Sequence, residues 1–303
     1  MAVICITGGN GMIGKQLTDS FTKNGHEVII LTRHPEKDNR HHVFQKKWDI
    51  PSGYIDPEAL AHTDAIIHLA GANVAGKRWT RQRKEEIVSS RTESGRLLVK
   101  ALQSNPNNVK TIISASAIGW YGPDRGEVFT ENMPNYPDFL GDTCKQWEES
   151  LHPVKTMGVR LVTLRIGIVL SNEGGALTEF KKPVQFGIAP ILGSGQQIIS
   201  WIHIDDLCRI FEKSMADINM NGIYNAAAPQ PISNKDFILT LAKSMKKIFI
   251  PIYVPAFILK IVLGEMSIEV LKSCTTSSEK IRKAGFQFLY PSIDAALKEL
   301  INC

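Results

Sequence analysis

Val3-Ile4-Cys5-Ile6-Thr7-Gly8-Gly9-Asn10-Gly11-Met12-Ile13-Gly14 is the stretch that decides the fold. Its first five residues are apolar or β-branched, the composition of a strand buried on both faces. The glycines interrupt that pattern, and a helical periodicity then runs from about Ile13 to Asn24, where Gly25 stops it. Gly8, Gly11 and Gly14 sit three apart. Glycines so spaced permit a tight turn, close backbone approach to a pyrophosphate, and close packing of helix on strand. The helix start adds free N–H donors and the positive end of its dipole. A glycine triplet alone is a weak signal; one that leaves a strand and enters a helix points to dinucleotide phosphates. The expected contacts are Gly8, Gly11, Met12, Ile13 and Gly14.

Outward from this loop the first half alternates strands and helices. Strands are expected at Glu27–Thr32, Ala65–Leu69, Thr111–Ser114 and Leu161–Arg165, with a helix over Lys84–Gln103. Strands that are apolar throughout and separated by helices build a parallel sheet covered on both faces. The fold class is therefore α/β, a Rossmann-type doubly wound parallel sheet. After Pro229 the pattern turns mainly helical (Asn234–Lys247, Ala256–Leu263, Ser267–Lys272, Ser278–Ala284, Ser292–Leu300), as in a smaller lobe. The expected organisation is a nucleotide-binding core over 1–228 and a mostly helical C-terminal lobe over 229–303. A length of 303 residues suits about two domains.

The chain is 43% hydrophobic and 21% charged, which excludes intrinsic disorder and fibrous repeats. A net charge of +5 without a basic run gives no footing for nucleic acid. Five scattered cysteines suggest free thiols in a reducing, cytoplasmic setting. The N-terminus lacks the charged start and apolar core of a signal peptide. One stretch, Ile248 to Gly264, is strongly apolar but holds Pro251, Pro255 and Lys260. It reads as a turn followed by a buried helix, and no membrane contact is expected.

The second strand ends at Thr32 and Arg33. An NAD-selective site places an acidic residue near this point for the ribose 2′-hydroxyl. Here a guanidinium stands instead, suited to a 2′-phosphate, so NADP(H) is the expected cofactor. No His, Cys, Asp or Glu run has metal-ligand spacing, and no metal is expected.

TGGNGMIG (7–14), Trp48-Asp49, HLAGANV (68–74) and SASAIGWYG (114–122) together resemble the extended short-chain dehydrogenase/reductase family, also called the sugar-nucleotide epimerase family. More narrowly, KEEIVSSR (84–91), CKQWEE (144–149), LRIGIVLSNEGGAL (164–177), GSGQQIISWIHIDD (193–206), GIYNAAAP (222–229) and GFQFLYPS (285–292) resemble its atypical branch with a DUF1731 C-terminal region. The resemblance implies that Leu69, Ala70 and Gly71 lie against the cofactor at a strand end. It further implies cofactor contacts at Glu86, Arg91 and Val169, and an Asp49 near the adenine.

The family performs hydride chemistry with a Tyr-x-x-x-Lys pair on one helix, the lysine lowering the tyrosine pKa. No tyrosine in this chain has lysine four residues later. In FLGDTCKQWEE the two possible registers give Leu140 with Cys144 or Gly141 with Lys145. The remaining catalytic candidates are Ser116, matched to a substrate-binding serine, and Tyr121, paired with Arg125 four residues on. Cys144 reads as a small buried hydrophobe. His203 and Asp205 read as one face of a strand that ties the sheet edge to the C-terminal lobe. Two functions stay open: an NADP(H)-dependent oxidoreductase or epimerase acting on a small polar substrate, and a non-catalytic or regulatory NADP(H)-binding protein.

Overall fold

Residues 1–302 are described by the structure, a computed structural model. The first seven strands are β1 (Val3–Thr7), β2 (Glu27–Thr32), β3 (Val43–Asp49), β4 (Tyr54–Ile55), β5 (Ala65–His68), β6 (Thr111–Ala117) and β7 (Arg160–Ile166). Short ones follow: β8 (Ile168–Ser171), β9 (Gly174–Gly175), β10 (Ile188–Leu192), β11 (Ile198–Ile199) and β12 (Trp201–His203). Then come β13 (Gly222–Ala226), β14 (Ile232–Ser233) and β15 (Ile250–Val254). The helices are α1 (Met12–Lys23), α2 (Glu58–Ala61), α3 (Arg81–Ser104), α4 (Phe139–Ser150), α5 (Ala176–Gln185) and α6 (Ile204–Ala216). Beyond them lie α7 (Asn234–Ser244), α8 (Ala256–Leu263), α9 (Ser267–Leu271), α10 (Glu279–Lys283) and α11 (Ile293–Asn302).

The main sheet has the order β13-β7-β6-β5-β1-β2-β3-β4 and is parallel except at β3–β4. Alternation along each strand feeds two apolar layers. Ile4 and Ile6 join Leu17, Phe21, Leu207 and Phe211 on the α1/α6 side. Cys5, between them, joins Leu98, Leu102 and Leu151 on the α3 side. This is the doubly wound arrangement that all-apolar strands require, since neither face can be left to water. Leaving β1, the chain pairs β2 on one side and returns to pair β5 on the other. The crevice at their carboxyl ends is the topological switch point where such sheets bind ligands.

β3 is a strand the composition conceals. Of VFQKKWD only Val43 and Trp48 are buried, and its polar members lie beyond the apolar centre of the sheet. A third apolar cluster, away from the sheet, unites Leu177 and Val184 of α5 with Phe237 and Leu241 of α7 and Leu297 of α11. That core draws on segments both before and after residue 228.

The Ile248–Gly264 stretch departs from expectation. Its first part is β15, paired in parallel with β10, not a turn. α8 is indeed a helix, but Leu259 is its one buried residue. The expected burial of this helix is therefore wrong. Apolar composition signals a core only when a second element arrives to cover the face.

Candidate functional site

The glycine loop closes the β1–α1 turn through Gly11 N–H donating to Gly8 O at 3.0 Å. Gly8 has φ +73°, and a Cβ there would lie 3.0 Å from the Leu69 carbonyl carbon. A Cβ on buried Gly14 would lie 2.6 Å from Gly9 Cα, so this glycine sets how closely α1 approaches the turn. Gly11 differs from both. It is exposed, and a Cβ there would meet only the Gly8 oxygen within 4 Å, at 3.3 Å. No side chain caps α1 and no acidic residue lies in its first turn. The N–H groups of Met12, Ile13 and Gly14 thus open the helix with its positive dipole end uncompensated.

The adjoining wall is the end of β5. Thr7 Oγ1 accepts hydrogen bonds from the N–H groups of Leu69 (3.1 Å) and Ala70 (3.2 Å) and lies 2.9 Å from His68 Nδ1. Burial lowers the His68 pKa to about 3, helped by the nearby Arg91 charge, so the ring is a neutral part of the framework. Arg91, nearly buried, donates to the carbonyls of Ala72 (3.1 Å) and Ile87 (2.9 Å) beneath Gly71. Arg83 donates to the Asn73 carbonyl and pairs with exposed Glu86. Arg91 and the Arg83–Glu86 pair thus lie beside the loop that follows β5, where the resemblance implies cofactor contacts. Ile13, Leu69 and Val169 converge as half-buried apolar groups on one core cluster, and Met12 packs beside Gly175.

On the other flank Thr32 is half-buried and Arg33 exposed at the β2 tip. Arg33 has no hydrogen-bond or ion-pair partner among the described residues. Of the acids that follow it, Glu36 is exposed and makes no ion pair with it, and Asp38 is already engaged by Arg40, which holds it well below the usual carboxylate range. Asp49 ends β3 and accepts a hydrogen bond from Ser52 Oγ at 2.7 Å.

Ser116 and Tyr121 are brought together, but by a network the motifs did not announce. Ser116 Oγ donates to Glu148 Oε1 at 2.7 Å. Arg165 grips both oxygens of that carboxylate, at 2.9 and 3.0 Å, and donates to Tyr121 OH at 3.1 Å. Tyr121 OH donates to Asn225 Oδ1 at 2.7 Å, while Asn225 N–H donates to Glu131 Oε1 at 2.9 Å. The Arg165 guanidinium also lies over the Trp120 ring, 3.6 Å from its centroid. Ser116, Tyr121 and Arg165 are 2%, 3% and 1% exposed. Low dielectric strengthens such a fully partnered charge pair and makes any missing member costly. The one sequence signal was Arg165 itself, a charge inside an apolar strand.

The expected Tyr121–Arg125 dyad does not form. Arg125 is exposed and lies over Tyr136, 5.0 Å from its ring centroid. Burial pushes the Tyr121 phenol up to about 12, so it holds its proton at neutral pH. Where the family pair would stand, α4 offers apolar groups. Leu140 Cβ and Cys144 Sγ lie 3.3 and 3.8 Å from a Cβ placed on Gly119, whereas Lys145 is exposed. Burial raises the Cys144 thiol to about 11, in keeping with its reading as a hydrophobe.

His203 ties to the lobe as expected, its Nε2 lying 2.9 Å from Glu299 of α11. Asp205 does not share a strand face with it, because the strand ends at His203 and α6 begins at Ile204. The tie to the late segment comes instead from buried Asp206, which accepts from the N–H groups of Leu289 (2.8 Å) and Tyr290 (2.9 Å). His203, Asp205 and Glu299 are the one group among the described residues with ligand atoms close enough for a metal. Yet His203 Nδ1 caps α6 by accepting the Asp205 N–H, and Nε2 faces Glu299. The ring is fully used in holding the fold.

Residues 4–227 match the model of the NAD dependent epimerase/dehydratase family, and residues 254–300 match DUF1731, a domain of unknown function. The chain is 38% identical over 298 residues to the epimerase family protein SAR0825 of Staphylococcus aureus, covering 98% of each. It is 34% identical over 300 residues to the epimerase family protein YfhF of Bacillus subtilis, covering 98% of this chain and 97% of that one. The crystal structure of human epimerase family protein SDR39U1 (isoform 2) with NADPH superposes with a TM-score of 0.88. It shares 29% identity, with 99% of each chain covered.

Proposed function

We infer the function from a family premise: the chain belongs to the NAD dependent epimerase/dehydratase family and is an NAD(P)-binding protein of it. We propose that its dinucleotide is NADP(H). The observation that carries this choice is Arg33, exposed and unpartnered at the β2 tip where an NAD site would carry a carboxylate. The similar human structure was obtained with NADPH, which supports the same reading. The uncapped α1 start and the side-chain-free space at Gly11 fit a pyrophosphate without rearrangement.

In this reading the N–H groups of Met12, Ile13 and Gly14 bind the phosphates, with Gly8 and Gly11 leaving room for them. Thr32 and Arg33 take the 2′-phosphate, and Asp49 borders the adenine. Leu69, Ala70, Gly71 and Val169 line the nicotinamide end and exclude water there, and Glu86 and Arg91 add cofactor contacts beside the loop that Arg83 and Arg91 hold in place. Bound dinucleotide supplies hydride chemistry on a small polar substrate. We place the protein in the cytoplasm, in accord with the four buried free cysteines among the described residues.

A second reading, dinucleotide binding without turnover, is favoured by the Leu140/Cys144 face of α4 and by the full engagement of Ser116 and Tyr121. One experiment separates them. NADPH at 100 times its Kd stabilises the fold by about 2.7 kcal/mol in either reading. NADPH oxidation with a panel of carbonyl compounds and sugar nucleotides supports the enzyme, and stabilisation without turnover supports the binding protein. Turnover abolished by Ser116→Ala at unchanged melting temperature would give Ser116 a chemical role. Loss of stability alone would leave it in the network.

A further inference from the structure

The segment 237–264 contains four lysines (Lys243, Lys246, Lys247 and Lys260) and no acidic residue. All four are exposed, and none has an ion-pair partner among the described residues. Interleaved with them is an apolar surface. Ile248 (96% exposed) and Ile250 lead into β15, whose register sets Ile250 beside Ile188, next to exposed Phe186. After Pro255, α8 turns Phe257, Ile261 (69% exposed) and Val262 outward. Large apolar side chains exposed in such number along one stretch of chain mark an interaction surface, whereas single exposed ones need no explanation.

We propose that this surface, built by β15 and α8, docks the protein peripherally on an anionic lipid bilayer. Charge decides between the occupants. Glu265, which follows α8, is already paired with Lys84, so a twofold contact centred on this segment would gather the lysines of two copies with no unpaired carboxylate from the segment or from Glu265 to offset them, a repulsive arrangement. A lipid surface offers phosphates to the lysines and hydrocarbon to the isoleucines and Phe257. α8 has eight residues, and no described helix is long and apolar enough to cross a membrane, so the surface lies in the interface and does not span it. This departs from the expectation of no membrane contact, and it is independent of which dinucleotide the protein takes.

Sedimentation of the full chain with phosphatidylcholine vesicles, with and without phosphatidylglycerol, tests it. The expected result is binding that requires phosphatidylglycerol and weakens with salt. Replacing Lys246, Lys247 and Lys260 by alanine should weaken it on the order of 100-fold, each lysine contributing roughly fivefold. Ile261→Asp should remove it, while melting temperature and NADPH affinity hold, because these side chains bury little in the fold. Absence of binding to anionic vesicles overturns the proposal. So does a dimer in analytical ultracentrifugation that Ile261→Asp dissociates, since the surface is then the contact between two copies.

Discussion

At the scale of single residues the glycine loop separates packing from ligand approach. Gly14 has no room for a side chain, with Gly9 Cα 2.6 Å from the would-be Cβ, so Gly14→Ala should destabilise by the about 1–3 kcal/mol typical of overpacking. Gly11→Val should leave the melting temperature within a few degrees and abolish NADPH binding, because its side chain enters the space beside the α1 start. Thermal melts with and without NADPH distinguish the two. His68 supplies a prediction of a different kind. Its folded pKa of about 3 lies below its ordinary value of 6.5. The unfolded chain therefore takes up a proton that the native state refuses once pH falls below about 6.5. The sign follows: the stability from a neutral His68 is full above pH 6.5 and is lost toward pH 3, at up to about 1.4 kcal/mol per pH unit. Denaturant melts across that window should show the slope, and His68→Asn should flatten it. An unchanged slope would mean that the ring is not held neutral.

Elements show where a sequence can be read and where it cannot. β1, β2 and β5 were legible because complete burial imposes unbroken apolar runs, and α1 because glycines mark its start and end. β3 was not, since only two of its seven residues are buried and its polar members mask the period. α8 was legible as a helix but not as an exposed one, because composition does not say whether a partner element arrives. The cofactor loop carried its own spacing signal. The Ser116–Glu148–Arg165–Tyr121 network did not, for its members come from β6, α4, β7 and the turn after β6, and meet only in the fold. Tyr121–Arg125 looked like a pair by helical spacing, yet Gly122 at φ +69° turns the chain away. The network fixes α4 to the sheet. Glu148→Leu should cost about 3–5 kcal/mol by leaving the Arg165 charge buried without its partner. Adding Arg165→Met should restore much of that loss. A double variant no more stable than the single one would show that the network's hydrogen bonds, not its charges, hold the helix.

Across the whole molecule a parallel sheet presents its switch point to a dinucleotide, and the third apolar cluster gathers segments that follow the carboxyl ends of β7 and β13. The residues that would touch phosphate are backbone groups and glycines, so they impose little choice of dinucleotide. In the proposed NADP(H) site discrimination falls on the guanidinium of Arg33 at the β2 tip, and it can be tested there. Fluorescence titrations of wild type and Arg33→Ala with NADPH and NADH measure it. A charged hydrogen bond worth about 1.5–3 kcal/mol gives wild type a preference for NADPH on the order of 10- to 100-fold, which Arg33→Ala should narrow toward one. Equal affinity of the wild-type protein for the two dinucleotides, or a preference that Arg33→Ala leaves unchanged, would contradict it.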